Sequence, residues 1–238
     1  MNEDKIPNHI YQMSTINALV SGLYDGCVSL NKLLKKGDFG LGTFKDLDGE
    51  LTLLNGIFYR TRPDGSMYVC DKNVTAPFAV VTKLENYSTY DIEKCACYNE
   101  VKEKLDSLIE SKNIFYAFHI KGEFDYIKTR TVVKQQKPYR PMAEVVKTQP
   151  IFEYNNIEGD IIGFRCPDYV EGLNVPGYHF HFISKDRKIG GHISECAIKS
   201  AKVIVQNCSC FRMELPENET FYNMEAVDRK DEINKVES

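Results

Sequence analysis

Short apolar runs separated by turn residues fill the second half of the chain, whereas apolar residues at helical spacing occur only in the first half. Two segments have this spacing: residues 14–37, where Ser14 can cap the first turn, and residues 91–111. Segregated helices and strands favour an α+β fold with mostly antiparallel or mixed sheet over alternating βαβ units. In the second half the strands are expected to break at Gly122, Asn155-Asn156 and Gly190-Gly191.

A segment with three prolines and three lysines, Lys134–Pro150, separates the helix-containing half from the strand-rich half. Such a segment is typical of a connection between packed regions, so we expect two sheet-based subdomains. The expected order is an N-terminal tail (1–12), an α+β subdomain (13–134), a connection (135–150), a β-rich zinc-binding subdomain (151–224) and a C-terminal tail (225–238).

Charge and hydropathy exclude several classes of partner. Thirty Lys and Arg against 34 Asp and Glu give a net charge of −4, so nucleic acid and anionic membranes are not expected partners. No apolar run reaches the roughly 20 residues of a membrane helix, and the polar first 12 residues lack the apolar core of an export signal. We therefore expect a cytoplasmic protein whose eight cysteines, which form no CxxC motif, are reduced and structural.

Three of the five histidines lie between His179 and His192. In a strand, side chains two apart point to the same face, so His179 and His181 project together. If residues 185–188 form the loop of a hairpin, position 184 pairs with 189, and His192 then lies directly across from His181. The pattern therefore predicts that all three imidazoles converge on one face.

Three neutral imidazoles with an open fourth position are typical of a catalytic zinc site rather than a structural one. The alternative is three unrelated polar positions on a solvated sheet face. Glu50, after the Asp48-Gly49 turn, and Arg130, at a strand end, carry no specific signal by themselves. His9 and His119 are interpreted as a tail residue and a single strand histidine among apolar neighbours.

Ten motifs in this chain occur in the order and approximate spacing of one enzyme family, and the chain resembles the α-acetolactate decarboxylases along nearly its full length. The motifs are Asp46–Leu51, Gly56–Tyr59, Ala76–Val81, Phe115–Phe124, Lys128–Thr131, Pro138–Pro141, Gly163–Arg165, Asn174–Ile183, Asp186-Arg187 and Gly190–His192.

The resemblance implies a zinc-dependent lyase that converts (S)-2-acetolactate to (R)-acetoin and CO2, in acetoin and 2,3-butanediol formation, and that forms a homodimer. It matches the family's zinc ligands to His179, His181 and His192. It matches the active-site glutamate and arginine to Glu50 and Arg130. A further family glutamate near the C-terminus is placed at Glu237, with Glu232 as the alternative, so the tail is expected to reach the active site.

Two other functions remain as alternatives. A cupin-like dioxygenase also carries a strand-borne HxH with a later histidine, but it requires iron, a carboxylate ligand and a glycine pattern that this chain lacks. A non-enzymatic, zinc-regulated binding module predicts a closed fourth coordination position and no turnover.

Overall fold

The structure, a computed structural model, describes residues 8–225 and 229–237, with the backbone alone at 234 and 237. It confirms an α+β fold dominated by antiparallel and mixed sheet. One sheet has seven strands, all antiparallel to their neighbours except the parallel pair at one edge. In spatial order these strands are Cys210–Glu214 (β14), His9–Met13 (β1), Phe78–Thr82 (β8), Phe39–Thr43 (β3), Glu50–Leu54 (β4), Ile57–Thr61 (β5) and Met67–Val69 (β6).

The second sheet has five antiparallel strands, four of which form a closed ring of pairings because the first also pairs with the fourth. In order these are Phe115–Arg130 (β10), Ile151–Cys166 (β11), Gly177–Ser184 (β12), Gly190–Cys208 (β13) and Ser88–Ile92 (β9). Two short strands, Val28–Ser29 (β2) and Thr75–Ala76 (β7), pair separately.

The described residues form six short helices. They are Ile16–Val20 (α1), Leu30–Leu34 (α2), Tyr98–Asp106 (α3), Met142–Val145 (α4), Glu219–Tyr222 (α5) and Lys230–Glu237 (α6). Single 3₁₀ turns occur at Lys45–Leu47, Val146–Thr148 and Asp168–Val170. Within the described ranges, no helix has the length and apolar character that a membrane crossing requires.

The main core lies between the two sheets, where side chains such as Leu41 and Val80 of the first sheet share a cluster with Ile162 and Phe164 of the second. A second cluster, which includes Phe118 and Phe180, belongs to the five-stranded sheet. The third covers the outer face of the seven-stranded sheet. The functional side chains described below lie at one end of the inter-sheet layer.

The predicted helix over residues 14–37 is wrong: two five-residue helices replace it. Thr15, not Ser14, caps α1 by accepting a hydrogen bond from the Ala18 amide. The chain then turns at Gly22, whose φ of +97° ends the helix. Both helices have buried apolar residues, since α1 packs between the sheets and α2 packs on the outer face of the first sheet. The apolar spacing in the sequence therefore gave no sign of the break between them.

Three other sequence expectations also need correction. The helix expected over 91–111 is confined to α3, because β9 occupies residues 88–92. Gly122 does not break its strand; it allows close approach, since a Cβ there would lie 2.2 Å from the Ser200 carbonyl oxygen. Asn155-Asn156 also lies inside continuous β11, with a left-handed φ of 52° at Asn156.

Strand pairing crosses the expected subdomain boundary. β9 and β10 come from residues 13–134 but pair with strands of residues 151–224, whereas β14 returns to the first sheet. Residues 9–12 of the expected N-terminal tail are part of β1, and most of the C-terminal tail forms α6. A domain boundary at 135–150 stays a prediction.

Candidate active site

A tight hairpin brings the three histidines together. β12 and β13 pair so that His181 lies opposite His192, and the Ser184 amide donates to the Ile189 carbonyl at 2.9 Å. His179 lies two residues before His181 on the same face of β12. The predicted hairpin register is therefore confirmed.

The three imidazoles form a compact, buried group. One nitrogen from each of His179, His181 and His192 lies within 4.8 Å of the others, and the ring centroids are 4.9–5.5 Å apart. The residues are 8%, 1% and 6% exposed. Among the residues whose side chains are described, no other group of histidine, cysteine or acidic side chains converges in this way.

Burial keeps these imidazoles neutral. Desolvation, with a smaller contribution from the positive charge of Arg130, lowers the pKa of His179 to about 3. Desolvation also lowers the pKa values of His181 and His192 well below the ordinary range, helped by the neighbouring rings and Arg130. Each ring therefore has one nitrogen lone pair at neutral pH, which is the form that binds metal ions.

The seven-stranded sheet supplies the next contacts through β4. Glu50 begins this strand, is 7% exposed, and places Oε2 3.7 Å from Nε2 of His181. Thr52 follows two residues later and places Oγ1 3.2 Å from Nδ1 of His181. The turn before Glu50 requires glycine, because Gly49 has φ +92° and a Cβ there would lie 2.1 Å from the Thr61 carbonyl oxygen.

Arg130, the last residue of β10, is 3% exposed and lies against the histidines. One terminal nitrogen donates to Nε2 of His192 at 2.8 Å, and the other donates to Oε1 of Gln149 at 3.1 Å. The Nε–H group is buried without a hydrogen-bond partner among the described residues. A buried donor of this kind is costly unless a ligand accepts from it.

These groups line a cavity with about 360 Å³ of free space, including the part that opens to solvent. Its polar wall carries the histidines, Glu50, Arg130 and Thr43. Its apolar wall consists of Ile16, Leu19, Phe78, Met142 and Val236. This lining suits a small molecule that has one anionic group and short apolar substituents.

The C-terminal helix α6 contributes to this wall. It packs against α1 and α4, with Ile233 and Val236 buried, and Val236 lines the cavity. The side chain of Glu237 lies outside the described residues. The alternative, Glu232, is half-buried and forms an ion pair with Arg229 at 2.9 Å.

Sequence reasoning missed Thr52, Gln149 and the apolar wall. Thr52 could have been found, because strand alternation places it on the same face as Glu50. Gln149 gave no signal, since it contacts Arg130 from the connection between β10 and β11. Of the other histidines, His9 is in β1 rather than a tail, and His119 forms a hydrogen bond with Asp160 at 2.7 Å.

Together, the fold and the cavity define a two-sheet α+β protein with three neutral imidazoles, an arginine and a glutamate around a small buried site. The alpha-acetolactate decarboxylase family model matches residues 10–227. The chain belongs to this family.

Relatives with this name match nearly the whole chain. The alpha-acetolactate decarboxylase of Methanosarcina mazei is 42% identical over 96% of this chain and 80% of its own length. That of Methylococcus capsulatus is 41% identical over 94% of this chain and 86% of its own. The crystal structure of the Bacillus subtilis strain 168 alpha-acetolactate decarboxylase superposes with a TM-score of 0.93 at 39% identity, covering 96% of this chain and 99% of that one.

Proposed function

We propose that this chain is a zinc-dependent decarboxylase that converts (S)-2-acetolactate to (R)-acetoin and CO2. The observation that carries the proposal is the buried cavity in which three neutral imidazoles converge beside Arg130 and Glu50. Family membership supplies the substrate, since relatives about 40% identical are named for acetolactate decarboxylation.

The donor set fits zinc. His179, His181 and His192 offer three neutral nitrogen donors, and catalytic zinc sites commonly have three protein ligands and one open position. Zinc held there would supply Lewis-acid polarisation of the substrate's oxygen atoms. The remaining steps are assigned to side chains of the chain itself.

Arg130 is assigned the role of binding the substrate carboxylate. Its buried guanidinium has an Nε–H donor available, and a guanidinium matches two carboxylate oxygens. The bond to Gln149 holds the group in one orientation. A fixed carboxylate aligns the bond between C1 and C2, which breaks as CO2 leaves and its electron pair passes to C2 and the adjacent ketone.

A carboxyl group is assigned as the donor of the proton that C2 then receives. Glu50 and Glu237 are the two candidates, with Glu232 as the alternative to Glu237. Delivery of the proton to one face of C2 sets the configuration of acetoin. The apolar wall packs against the two methyl groups and limits the access of water to C2. We also propose that the enzyme acts in the cytoplasm as a homodimer.

The test is an assay of purified protein with racemic acetolactate, in which acetoin and CO2 are measured before and after chelation. We expect chelation to abolish acetoin formation and zinc to restore it. Unchanged acetoin formation by metal-free protein would disprove the zinc requirement, and no acetoin from the zinc-loaded protein would disprove the activity.

Glutamine variants separate the two glutamates. Glu50→Gln and Glu237→Gln each keep the shape of the side chain but cannot deliver a proton. The proton donor is the residue whose replacement abolishes acetoin formation while zinc binding is retained. Full activity in both variants would exclude both residues from this step.

A further inference from the structure

One contact to the histidine group crosses between the two sheets. Thr52 lies on β4 of the seven-stranded sheet, and its Oγ1 is 3.2 Å from Nδ1 of His181 on β12 of the five-stranded sheet. Thr52 is fully buried and His181 is 1% exposed, so water does not compete for this hydrogen bond. The contact therefore fixes the ring more firmly than an exposed one would.

The same strand contacts both nitrogens of the ring. Glu50 faces Nε2 and Thr52 faces Nδ1, because these two residues are two apart on β4 and share a face. A 180° flip of the His181 ring would put Cδ2 in the place of Nδ1 and Cε1 in the place of Nε2, so that the hydroxyl and the carboxylate would face carbon atoms. β4 thus sets the orientation of a ring that belongs to the other sheet.

A neutral imidazole that binds metal through one nitrogen must carry its proton on the other. The nitrogen that faces Thr52 is Nδ1, which leaves Nε2 for the histidine group. A threonine hydroxyl can accept a hydrogen bond from Nδ1–H, whereas valine, which has the same shape, cannot. The hydroxyl can also donate to an unprotonated Nδ1, but when Nε2 serves the histidine group, Nδ1 carries the proton and the hydroxyl accepts from it.

We propose that Thr52 is a positioning residue of the site: it accepts a hydrogen bond from Nδ1–H of His181 and so holds the Nε2 lone pair toward His179 and His192. The inference rests on the proposed zinc site. Loss of such an outer partner typically weakens metal binding roughly 10–100-fold.

The experiment compares zinc affinity and His181 tautomer in three variants of the full chain. Thr52→Val removes the hydroxyl, and Thr52→Ser keeps it. Thr61→Val is the matched control, because Thr61 is 1% exposed and its hydroxyl makes no hydrogen bond among the described residues. Zinc affinity is measured by competition with a chelator. The tautomer is read from ¹⁵N chemical shifts of labelled histidine in metal-free protein, with His181→Asn used for assignment.

We expect zinc affinity to fall roughly 10–100-fold in Thr52→Val and to stay within about threefold of wild type in Thr52→Ser and Thr61→Val. The unmutated protein should show His181 protonated on Nδ1, and Thr52→Val should show a mixture of tautomers. Wild-type zinc affinity and an unchanged tautomer in Thr52→Val would overturn the inference.

A His181 protonated on Nε2 in the unmutated protein would also overturn it, even if Thr52→Val did not fold. Failure of the proposed function has a different signature, since the unmutated protein would then bind no zinc or form no acetoin. The tautomer in metal-free protein would still decide the role of Thr52.

Discussion

The three-histidine group and the single histidine His119 share one face of the five-stranded sheet but have different surroundings. His119 lies opposite Ile162, and Ile162 lies opposite His181, so His119 and His181 are in the same row two strands apart. At a spacing of about 4.8 Å between strands, this separation is roughly 10 Å. This distance is too long for His119 to share a ligand site with His181, although both side chains point to the same face.

The hydrogen-bond partners of His119 also differ from those of the three-histidine group. His119 Nε2 forms a hydrogen bond with Oδ1 of Asp160 at 2.7 Å, and Asp160 also accepts a hydrogen bond from Arg187 at 2.6 Å. Arg187 in turn donates to the Ser184 carbonyl at 3.0 Å, within the turn that joins β12 to β13. The carboxylate of Asp160 is thus shared between a strand histidine and the hairpin turn.

The Asp160 network and the three-histidine group therefore have different roles at the same hairpin. The Asp160 network ties the turn of the hairpin to β10 and β11, which stabilises the pairing that places His181 opposite His192. The three-histidine group lines a cavity and presents neutral nitrogens to it. The comparison teaches that a carboxylate and an arginine make one histidine structural, whereas three mutually close neutral rings are suited to binding.

The largest effect is expected from loss of one histidine of the triad. His192→Ala should reduce bound zinc from one per chain to nearly none and abolish acetoin formation, because two imidazoles hold zinc poorly in an open site. Elemental analysis and the acetoin assay measure the two losses. The fall in zinc affinity should exceed the roughly 10–100-fold effect of removing an outer partner.

His119→Ala is the matched comparison for this prediction. It removes an imidazole from the same sheet face and should leave zinc content at one per chain. Full zinc in His192→Ala, or loss of zinc in His119→Ala at a temperature where the protein stays folded, would break the comparison between the two groups.

A smaller effect is expected for Arg130→Lys. An ammonium cannot donate to both Gln149 and a substrate carboxylate in the planar geometry of a guanidinium, so kcat/KM for acetolactate should fall about 100-fold. Zinc content should stay at one per chain, because no metal ligand is removed. Steady-state kinetics and elemental analysis check the two outcomes, and near-normal kcat/KM would remove Arg130 from substrate binding.

The sequence was sufficient for the hairpin register and insufficient for the rest of the site. The four-residue loop and strand alternation fixed His181 opposite His192 because both are local rules. Glu50 and Arg130 lie far away in the chain, and only the family resemblance connected them to the histidines. Their approach depends on how two sheets pack, which local patterns do not encode.

Two strand breaks were predicted wrongly because local turn patterns were present but tertiary structure overrode them. Gly122 and Asn155-Asn156 look like turn residues, yet β10 and β11 continue through them to close the ring of strands. His119 is a single strand histidine, as expected, but no sequence pattern indicated its hydrogen-bond partner. Its partner Asp160 is 41 residues away and is brought beside it only by the β10–β11 pairing.

An effect on stability rather than activity is expected for Asp160→Asn. The amide keeps the shape but loses the charge that both His119 and Arg187 contact, so the free energy of unfolding should fall by about 2 kcal/mol. Zinc content should be unchanged. Glu158→Gln is the matched control, since Glu158 pairs with Lys185 of the same turn at the surface and should cause no measurable change. Equal losses in urea unfolding would refute a special role for Asp160.

The smallest effect is the pH dependence of the difference in unfolding free energy between wild type and Asp160→Asn. Burial raises the pKa of Asp160, but the hydrogen bonds from His119 and Arg187 outweigh it and hold the pKa below the ordinary value of 3.8. A carboxyl whose pKa is lower in the folded protein stabilises the fold above its ordinary pKa, and this stabilisation is lost as the pH falls through the folded value. The difference in unfolding free energy between wild type and Asp160→Asn should therefore narrow as the pH falls below about 4. Because most other titrating groups are common to both proteins, the difference isolates the Asp160 network. A difference that widens in acid would mean that His119 and Arg187 do not stabilise the charged carboxylate.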